Sequence, residues 1–155
     1  MRRKDREITD YQKMLEVVAE CDCCRLGLVD GDEAYIVPMN FGFSEEDGNL
    51  VLYFHTAKEG RKIDLLKKAD IITFQMDTGH GLRPGENAGD YSYFYKCVMG
   101  RGKAEILSQT DDQIRGFHAI MAHYAPGKEF QYDMPCLDRV YVVKLTVTNW
   151  SCKVH

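Results

Sequence analysis

The stretch from residue 50 to residue 68, LVLYFHTAKEGRKIDLLKK, constrains the fold most because it begins as a strand and ends as a helix. Val51 and Tyr53, with their apolar neighbours, have the pattern of a buried strand. Ile63 and Leu66 recur at helical spacing, and lysines near the helix end suit the helix dipole. The chain must therefore combine a sheet with a helix that follows one of its strands directly.

Polar and charged residues gather where this strand gives way to the helix. They are His55, Thr56, Lys58, Gly60, Arg61 and Lys62. Free backbone N–H groups at a helix start favour an anion, and neighbouring Arg and Lys side chains add positive charge. One interpretation is a phosphate site beside a hydrogen-bonding strand end. The alternative is a solvated helix start, because the stretch lacks the repeated glycines of a phosphate-binding loop.

Composition predicts one soluble globular domain over residues 1–155. Hydrophobic residues make up 45% and charged residues 28%, and the net charge of −4 with dispersed cations disfavours nucleic-acid binding. No apolar run reaches membrane-spanning length. The charged start MRRKDREITD lacks the apolar segment of a signal peptide. We therefore expect a cytoplasmic protein that binds neither nucleic acid nor membranes.

Six cysteines occupy positions 21, 23, 24, 97, 136 and 152. Without a secretion signal, reduced thiols are expected rather than disulfides. The cluster Cys21, Cys23 and Cys24 could suggest a metal site, but no second CxxC or HxxxH pair accompanies it. We therefore predict no metal and interpret the cluster as small thiols at a helix-to-strand junction.

Hydrophobic periodicity predicts three helices and about six strands. The predicted helices are residues 9–21, residues 61 to about 69, and residues 110–124. The predicted strands are residues 25–29, 34–43, 50–55, 71–76, 91–107 and 139–150. The pairs Thr9/Gln12 and Thr110/Gln113 have the spacing of a capping box at two of the helix starts.

Turn residues complete this prediction. Asp30-Gly31-Asp32 predicts a hairpin, and the glycine-rich residues 77–90 predict a loop. Pro38 interrupts a strand, which indicates a sheet edge or a bulge. Grouped strands with antiparallel turns indicate an α+β fold, mainly β, with a sheet closed into a barrel. A small barrel has little space inside, so a ligand would lie outside it or between two copies.

Four segments together resemble one known family. They are MRRKDREI (1–8), AYIVPMNFGF (34–43), LYFHTAKEGRKIDLL (52–66) and YKCVMGRGKAEIL (95–107), in the family's order. The chain resembles the flavin-binding split-barrel proteins related to pyridoxamine 5′-phosphate oxidase, and among them is most similar to the Nim group of 5-nitroimidazole resistance proteins. The residues with which true pyridoxamine phosphate oxidases hold their substrate are not matched, so that activity is not expected.

The resemblance implies an FMN-binding split β-barrel with flanking helices that forms a homodimer, with FMN at the dimer interface. Seven residues would lie beside the flavin ring, namely Pro38, Met39, Asn40, Phe41, His55, Thr56 and Ala57. Arg61 and Lys62 would hold the flavin phosphate. His55 occupies the position of the family's proposed catalytic residue. The chain departs from some relatives at Asn40-Phe41-Gly42 and at Cys97, which face the expected substrate.

Three functions follow as hypotheses. The first is an FMN-dependent oxidoreductase that reduces a small electrophilic molecule such as a nitroaromatic compound, with the flavin carrying the electrons. The second is a flavin-binding protein without turnover, because no evident acid–base pair and no nicotinamide fingerprint are present. The third is a haem-binding split barrel in which His55 ligates iron.

Overall fold

One antiparallel sheet dominates this computed structural model, which describes residues 3–155 except for the side chain of Cys136. The strands are β1 (Glu7–Ile8), β2 (Cys24–Asp30), β3 (Glu33–Met39), β4 (Gly42–Glu46), β5 (Asn49–Ala57), β6 (Ile71–Arg83), β7 (Ser92–Leu107) and β8 (Val140–Val154). The helices are α1 (Tyr11–Glu20), α2 (Arg61–Leu66), α3 (Thr110–Tyr124) and α4 (Met134–Leu137). The first two residues of the family-like segment 1–8 lie outside the described residues.

The two edges of the sheet are neighbours in the chain. The strand order is β3-β2-β6-β7-β8-β5-β4, with β1 paired to β8. Strands β3 and β4 are therefore the edges, yet only Asn40 and Phe41 separate them. This short connection brings the edges together and leaves a barrel that is split between β3 and β4. The predicted α+β split barrel is confirmed.

Most of the core lies inside the barrel. Strand side chains alternate between the two faces of a sheet, and on β5 Leu52 and Phe54 point inwards. Helix α1 closes this cluster with its buried apolar face. The largest fully buried side chains include Phe41, Phe54, Leu26, Leu50, Leu52, Ile63, Ile72, Met76 and Leu145.

A second apolar cluster lies on the outside of the barrel, beneath α3 and α4. It consists of Val51, Tyr53, Leu107, Phe117, Ile120, Leu137 and Val142. Helix α3 approaches the edge strand β4 very closely at Gly42, where an added Cβ would overlap the backbone of Ala119 and Ile120. The absence of a side chain at Gly42 therefore allows the helix to cover this part of the sheet.

Some turn predictions are confirmed and one strand is corrected. Asp30 pairs with Glu33 across the predicted hairpin, and Gly31 there has a φ of 61°. Pro38 lies on an edge strand, as its missing N–H requires. The predicted strand 34–43 is wrong as one element, because the chain leaves β3 after Met39 and enters the opposite edge at Gly42.

The predicted loop at residues 77–90 is largely wrong. Strand β6 continues to Arg83, and its far end pairs with the start of β7 through Gly81↔Phe94 and Leu82↔Tyr93. The register shifts between Thr78 and Gly81, so the glycines are accommodated by an irregularity in a two-stranded ribbon. The glycine-rich segment was predicted to be a loop, because glycines are common both in loops and in irregular two-stranded ribbons, and the sequence does not distinguish the two.

The helices differ from the prediction in their caps and bounds: α1 spans Tyr11–Glu20, α2 ends at Leu66 rather than near residue 69, and α4 was not predicted. Helix α1 is capped by Asp10, whose side chain accepts a hydrogen bond of 3.0 Å from the Lys13 N–H, and not by Thr9. Helix α3 has the predicted bounds, but Gln113 donates to the Leu107 carbonyl instead of completing a capping box. None of the helices formed by residues 3–155 is both long enough and apolar enough to span a membrane.

The contact at Gly42 gives a stability prediction. Gly42→Ala should lower the free energy of unfolding by about 1–3 kcal/mol, because backbone atoms of α3 must move to admit a methyl group. Urea denaturation measures the change. Gly89→Ala is the matched control, since nothing lies within 4 Å of the added Cβ there. Equal stability of the two variants would show that α3 does not contact β4 in this way.

Candidate functional site

The strand register brings the two main segments predicted for the site together. Gly42 pairs with Tyr53, so residues 38–41 enter β4 beside the end of β5 that carries residues 55–57. Lys62 of α2 reaches the same place, because its Nζ lies 3.1 Å from the Met39 sulfur. We call residues 38–41 the link segment. The link segment, the end of β5 and the start of α2 therefore meet at the split of the barrel.

The link segment alternates between exposed and buried side chains. Pro38 and Asn40 are exposed, whereas Met39 and Phe41 are buried in the core. The Phe41 N–H donates to the Tyr124 hydroxyl at 3.1 Å, and the Phe41 ring lies 4.5 Å from the His123 ring. Only Pro38 and Asn40 therefore present side chains to a ligand, while Met39 and Phe41 anchor the segment.

His55 is the most accessible titratable group at the end of β5. Its neighbours differ, since Thr56 is buried and Ala57 is exposed. His55 lies at a cavity of about 400 Å³ that Phe117 and Arg139 also line. Partial desolvation and the nearby Lys62 cation lower the pKa of His55 below 6.5. The imidazole is therefore neutral near neutral pH, and it can accept a proton or coordinate a metal.

The two predicted phosphate ligands have different surroundings. Arg61 is already paired, with Nε 2.6 Å from Asp30 and Nη2 3.2 Å from Glu33. Its guanidinium also stacks 4.8 Å from the Tyr35 ring. Lys62 has no carboxylate within 4 Å among residues 3–155, and burial lowers its pKa. No carboxylate of the described residues would therefore compete with an anion for Lys62. To bind an anion, Arg61 would have to release Asp30 and Glu33 or share its guanidinium with them.

The outer face of β2, β3, β6 and β7 combines exposed apolar side chains with a polar network. Four of its apolar side chains are more than half exposed, namely Val29 (77%), Ile36 (65%), Met99 (56%) and Ile71 (53%). Strand pairing puts Arg25 directly opposite Pro38 on one side and Gln75 on the other. This outer face is therefore continuous with the exposed side of the link segment.

The polar network on the outer face is centred on Asp77. Arg25 donates to Asp77 at 2.6 Å and to Gln75 at 3.2 Å, and the Gln75 amide donates to Asp77 at 2.9 Å. His80 Nε2 lies 2.6 Å from the other Asp77 oxygen. The hydrogen bond from Gln75 and the charge of Arg25 lower the pKa of Asp77 against the effect of burial. Sequence patterns missed this network because it depends on the pairing of β2 with β6.

A second polar cluster lies near α3, away from the link segment. Tyr53 donates to Glu46, and Lys144 donates to the same carboxylate at 2.6 Å, beside a cavity of about 290 Å³. Burial and the contact with Glu46 raise the pKa of Tyr53 to about 12. Tyr53 therefore stays protonated and acts as a donor.

The structure describes the side chains of five of the six cysteines. Within the described part of the chain, no group of three His, Cys, Asp or Glu residues could hold a metal ion. Cys21, Cys23, Cys24, Cys97 and Cys152 are free thiols. Burial raises the pKa of Cys21 to about 12 and raises that of Cys24 further. These two thiols are thus protonated core residues at the α1–β2 junction.

Several solved protein structures are similar to this chain. A candidate 5-nitroimidazole antibiotic resistance protein from Bacteroides thetaiotaomicron is 32% identical to this chain, with 96% of this chain and 86% of that chain covered and a TM-score of 0.82. The flavocytochrome Anf3 from Azotobacter vinelandii is 18% identical, with a TM-score of 0.82 and coverage of 100% and 72%. A FAD- and haem-binding protein from Mycobacterium smegmatis is 18% identical, with a TM-score of 0.81 and coverage of 96% and 73%.

The two more distant structures share the fold with this chain, and the Bacteroides protein shares the family as well. None of the curated proteins compared matches the chain. The sequence profile described as pyridoxamine 5′-phosphate oxidase matches residues 10–154, which is nearly the whole chain. The chain therefore belongs to the pyridoxamine 5′-phosphate oxidase family.

Proposed function

We propose that this protein binds FMN at the split of its barrel, forms a homodimer, and reduces a small electrophilic substrate such as a nitroaromatic compound. The observation that carries the proposal is the meeting of the link segment, the end of β5 and the start of α2. The 32% identity to a candidate 5-nitroimidazole resistance protein supports the substrate class. Names of two structural relatives, a flavocytochrome and a FAD- and haem-binding protein, support a flavin.

The residues at the split differ in whether they can offer a side chain or only backbone atoms to a flavin ring. Pro38 and Asn40 are exposed and can lie against the ring, and Ala57 offers a small surface beside them. Met39 and Phe41 are buried, so their contribution is limited to backbone atoms, and the Phe41 N–H already serves Tyr124. Asn40 is therefore the side chain best placed to hydrogen-bond the polar edge of the ring.

The phosphate of FMN would lie near Arg61 and Lys62. The Lys62 ammonium has no carboxylate partner among residues 3–155, and Arg61 could exchange its carboxylates for a phosphate through two charge-assisted hydrogen bonds. Gly60 has a φ of 110°, a conformation that a glycine adopts without strain. This arrangement supports a single phosphate and hence FMN rather than a dinucleotide.

Bound flavin would supply electron transfer, and the chain would supply position and charge. His55 is neutral near neutral pH, so it can accept a hydrogen bond from the substrate or take up a proton at its free ring nitrogen. The Lys62 cation stabilises negative charge that develops near the link segment. Phe117 borders the cavity at His55 and excludes water from one side of it.

The outer face supports the proposed dimer. Four large apolar side chains on this face are more than half exposed, and two of them, Ile36 and Met99, line a hollow of about 340 Å³ together with Arg25. Apolar surface of this kind marks interaction sites when it is contiguous. Because Arg25 lies opposite Pro38, a second copy on this face would also border the proposed flavin site.

Haem is the second candidate cofactor. Two relatives of the same fold are named for haem as well as flavin, and the exposed imidazole of His55 is neutral near neutral pH. A neutral imidazole is a common iron ligand. The two cofactors give distinct absorption spectra, so they can be separated by one measurement.

The first test is the identity of the cofactor. We expect the purified protein to show flavin bands in the blue and near-ultraviolet, and heat should release FMN as the main species. Arg61→Gln should weaken binding of FMN about tenfold or more, because charge-assisted hydrogen bonds contribute roughly 1.5–3 kcal/mol. Binding of riboflavin, which has no phosphate, is the control and should not change. A Soret band, or FAD as the main released species, would contradict the proposal.

The second test concerns the dimer. Sedimentation velocity should show a dimer for the flavin-loaded protein, and Ile36→Glu should shift it to a monomer that binds FMN more weakly. The physical reason is that a carboxylate would be desolvated where the second copy covers Ile36. Met134→Glu changes an apolar side chain that is also half exposed but lies on α4, and it should stay dimeric. A parent protein that is monomeric with FMN bound would exclude the shared site.

The third test is the titration of His55. Its NMR resonance, assigned by its loss in His55→Gln, should have a midpoint below 6.5, and Lys62→Gln should raise that midpoint by removing a cation. The unfolded chain then binds more protons than the folded one, so the free energy of unfolding falls as the pH drops below about 6.5. His55→Gln should make this decline shallower. A midpoint at or above 6.5 would show that His55 is neither desolvated nor close to Lys62.

A further inference from the structure

A cavity of about 430 Å³ opens between β7 and β8 on the outside of the barrel. It is lined by Tyr95, Cys97, Met99, Ser151 and Lys153, and we call it the β7–β8 hollow. Strands β2 and β6 lie between Met99 and Pro38 of the link segment, which are therefore three strand spacings apart in the sheet. Three spacings amount to roughly 14 Å. The β7–β8 hollow is thus a second cavity, apart from the split of the barrel.

The strand register explains why these side chains meet. Residues 95, 97 and 99 alternate along β7 and share its outer face, while Cys97 pairs with Lys153 and Met99 pairs with Ser151 of β8. Val98 and Cys152 form a pair on the opposite face and are fully buried in the core. The hollow therefore rests on a packed sheet, and its volume lies within the range of roughly 300–1,000 Å³ that small-molecule sites occupy.

Lys153 brings a positive charge to the hollow without an ion-pair partner among residues 3–155. Its Nζ lies 5.3 Å from the centroid of the Tyr95 ring. Glu7 lies opposite Lys153 in the β1–β8 pair, but the salt bridges formed within residues 3–155 include neither of the two. Asp77 on the neighbouring strand β6 is already paired with Arg25 at 2.6 Å. An anion at Lys153 would therefore displace no existing ion pair.

Tyr95 and His155 indicate that the potential at this end of the sheet is positive. Lys153 and, less strongly, Arg6 lower the pKa of the Tyr95 hydroxyl below its ordinary value of 10. His155 exchanges backbone hydrogen bonds of 2.9 and 3.4 Å with Tyr95, and desolvation together with the cations Arg6 and Arg3 lowers the pKa of His155. Cations that stabilise a phenolate and disfavour an imidazolium also stabilise a bound anion. The field beside the hollow therefore has the sign that an anionic ligand needs.

We infer that the β7–β8 hollow binds a small apolar anion, such as an aromatic carboxylate. The apolar part of the ligand would lie against Met99, Cys97 and the Tyr95 ring, and its charged group would meet Lys153. The Ser151 hydroxyl can donate a further hydrogen bond to the anion. One protomer supplies every lining residue and no flavin is needed, so this inference goes beyond the proposed function and does not depend on it.

The experiment compares two probes of matched shape, 2-naphthoate and its neutral amide, 2-naphthamide, by calorimetry. Each is titrated into the protein as purified and again after saturation with FMN. The parent should bind the anion about tenfold more tightly than the amide, as expected for charge-assisted hydrogen bonds. Lys153→Gln should bind both probes equally, with the affinity that the parent has for the amide. Lys128→Gln, which changes an exposed lysine after α3, should behave as the parent.

A second variant tests the cavity instead of the charge. Ser151→Phe fills the hollow with a ring and should weaken both probes about tenfold or more, because little space for an apolar group remains. A melting curve for each variant confirms folding. The inference is overturned if naphthoate does not bind to the parent, if the parent binds both probes equally, if Lys153→Gln keeps the preference for the anion, or if folded Ser151→Phe binds as the parent does.

Two comparisons separate the hollow from the flavin site and from the proposed dimer interface. Loss of naphthoate binding on saturation with FMN would assign the hollow to the flavin site and overturn the inference. Met99 also lines the hollow at Ile36, so a second copy on the outer face would lie close by. Binding by the Ile36→Glu monomer but not by the dimer would show that a second copy occupies the hollow, which also overturns the inference. A protein that binds naphthoate as expected but no FMN would contradict the proposed function and support this inference.

Discussion

The two-residue connection between β3 and β4 is the constraint on which the rest of the structure depends. Seven strands laid flat at about 4.8 Å spacing would separate the edge strands by roughly 29 Å. Met39 and Gly42 are three residues apart, and an extended chain covers at most about 11 Å over that distance. The sheet must therefore curl until its edges meet. Pro38 lacks a hydrogen-bond donor, and its place on β3 is compatible with an edge that stays unpaired.

The same connection also fixes the proposed site. Tyr124, the last residue of α3, accepts a hydrogen bond from the Phe41 N–H and donates one of 2.8 Å to the Asp22 carbonyl. One hydroxyl thus ties the end of α3 to the link segment and to the connection between α1 and β2. Gly42 lets the helix lie against the strand, so the link segment is held from both sides. A ligand at the split would meet a preorganised backbone, and little conformational freedom would be lost on binding.

The sequence predicted those parts of the fold and of the site that local patterns encode. The apolar stripe of α3 gave its bounds, and the family motifs indicated the link segment and residues 55–57, which the register of β4 and β5 brings together. The β6–β7 ribbon was missed because a bulged ribbon and a loop are both rich in glycine. Arg139 could not be associated with His55 from local patterns, because only the pairing of β5 with β8 brings the start of β8 beside the end of β5.

Charge on the outer face must be compatible with the proposed dimer. Burial of an ion pair costs more than it returns unless its members are well hydrogen-bonded. Arg25 has two acceptors, and Asp77 accepts from Arg25 and Gln75 while His80 lies at its second oxygen. The network is therefore largely satisfied within one protomer before any partner arrives. A second copy could cover Ile36 and Met99 without leaving an unpaired charge at the interface, and Arg25 would then contribute positive potential beside Pro38, where the flavin ring is proposed to lie.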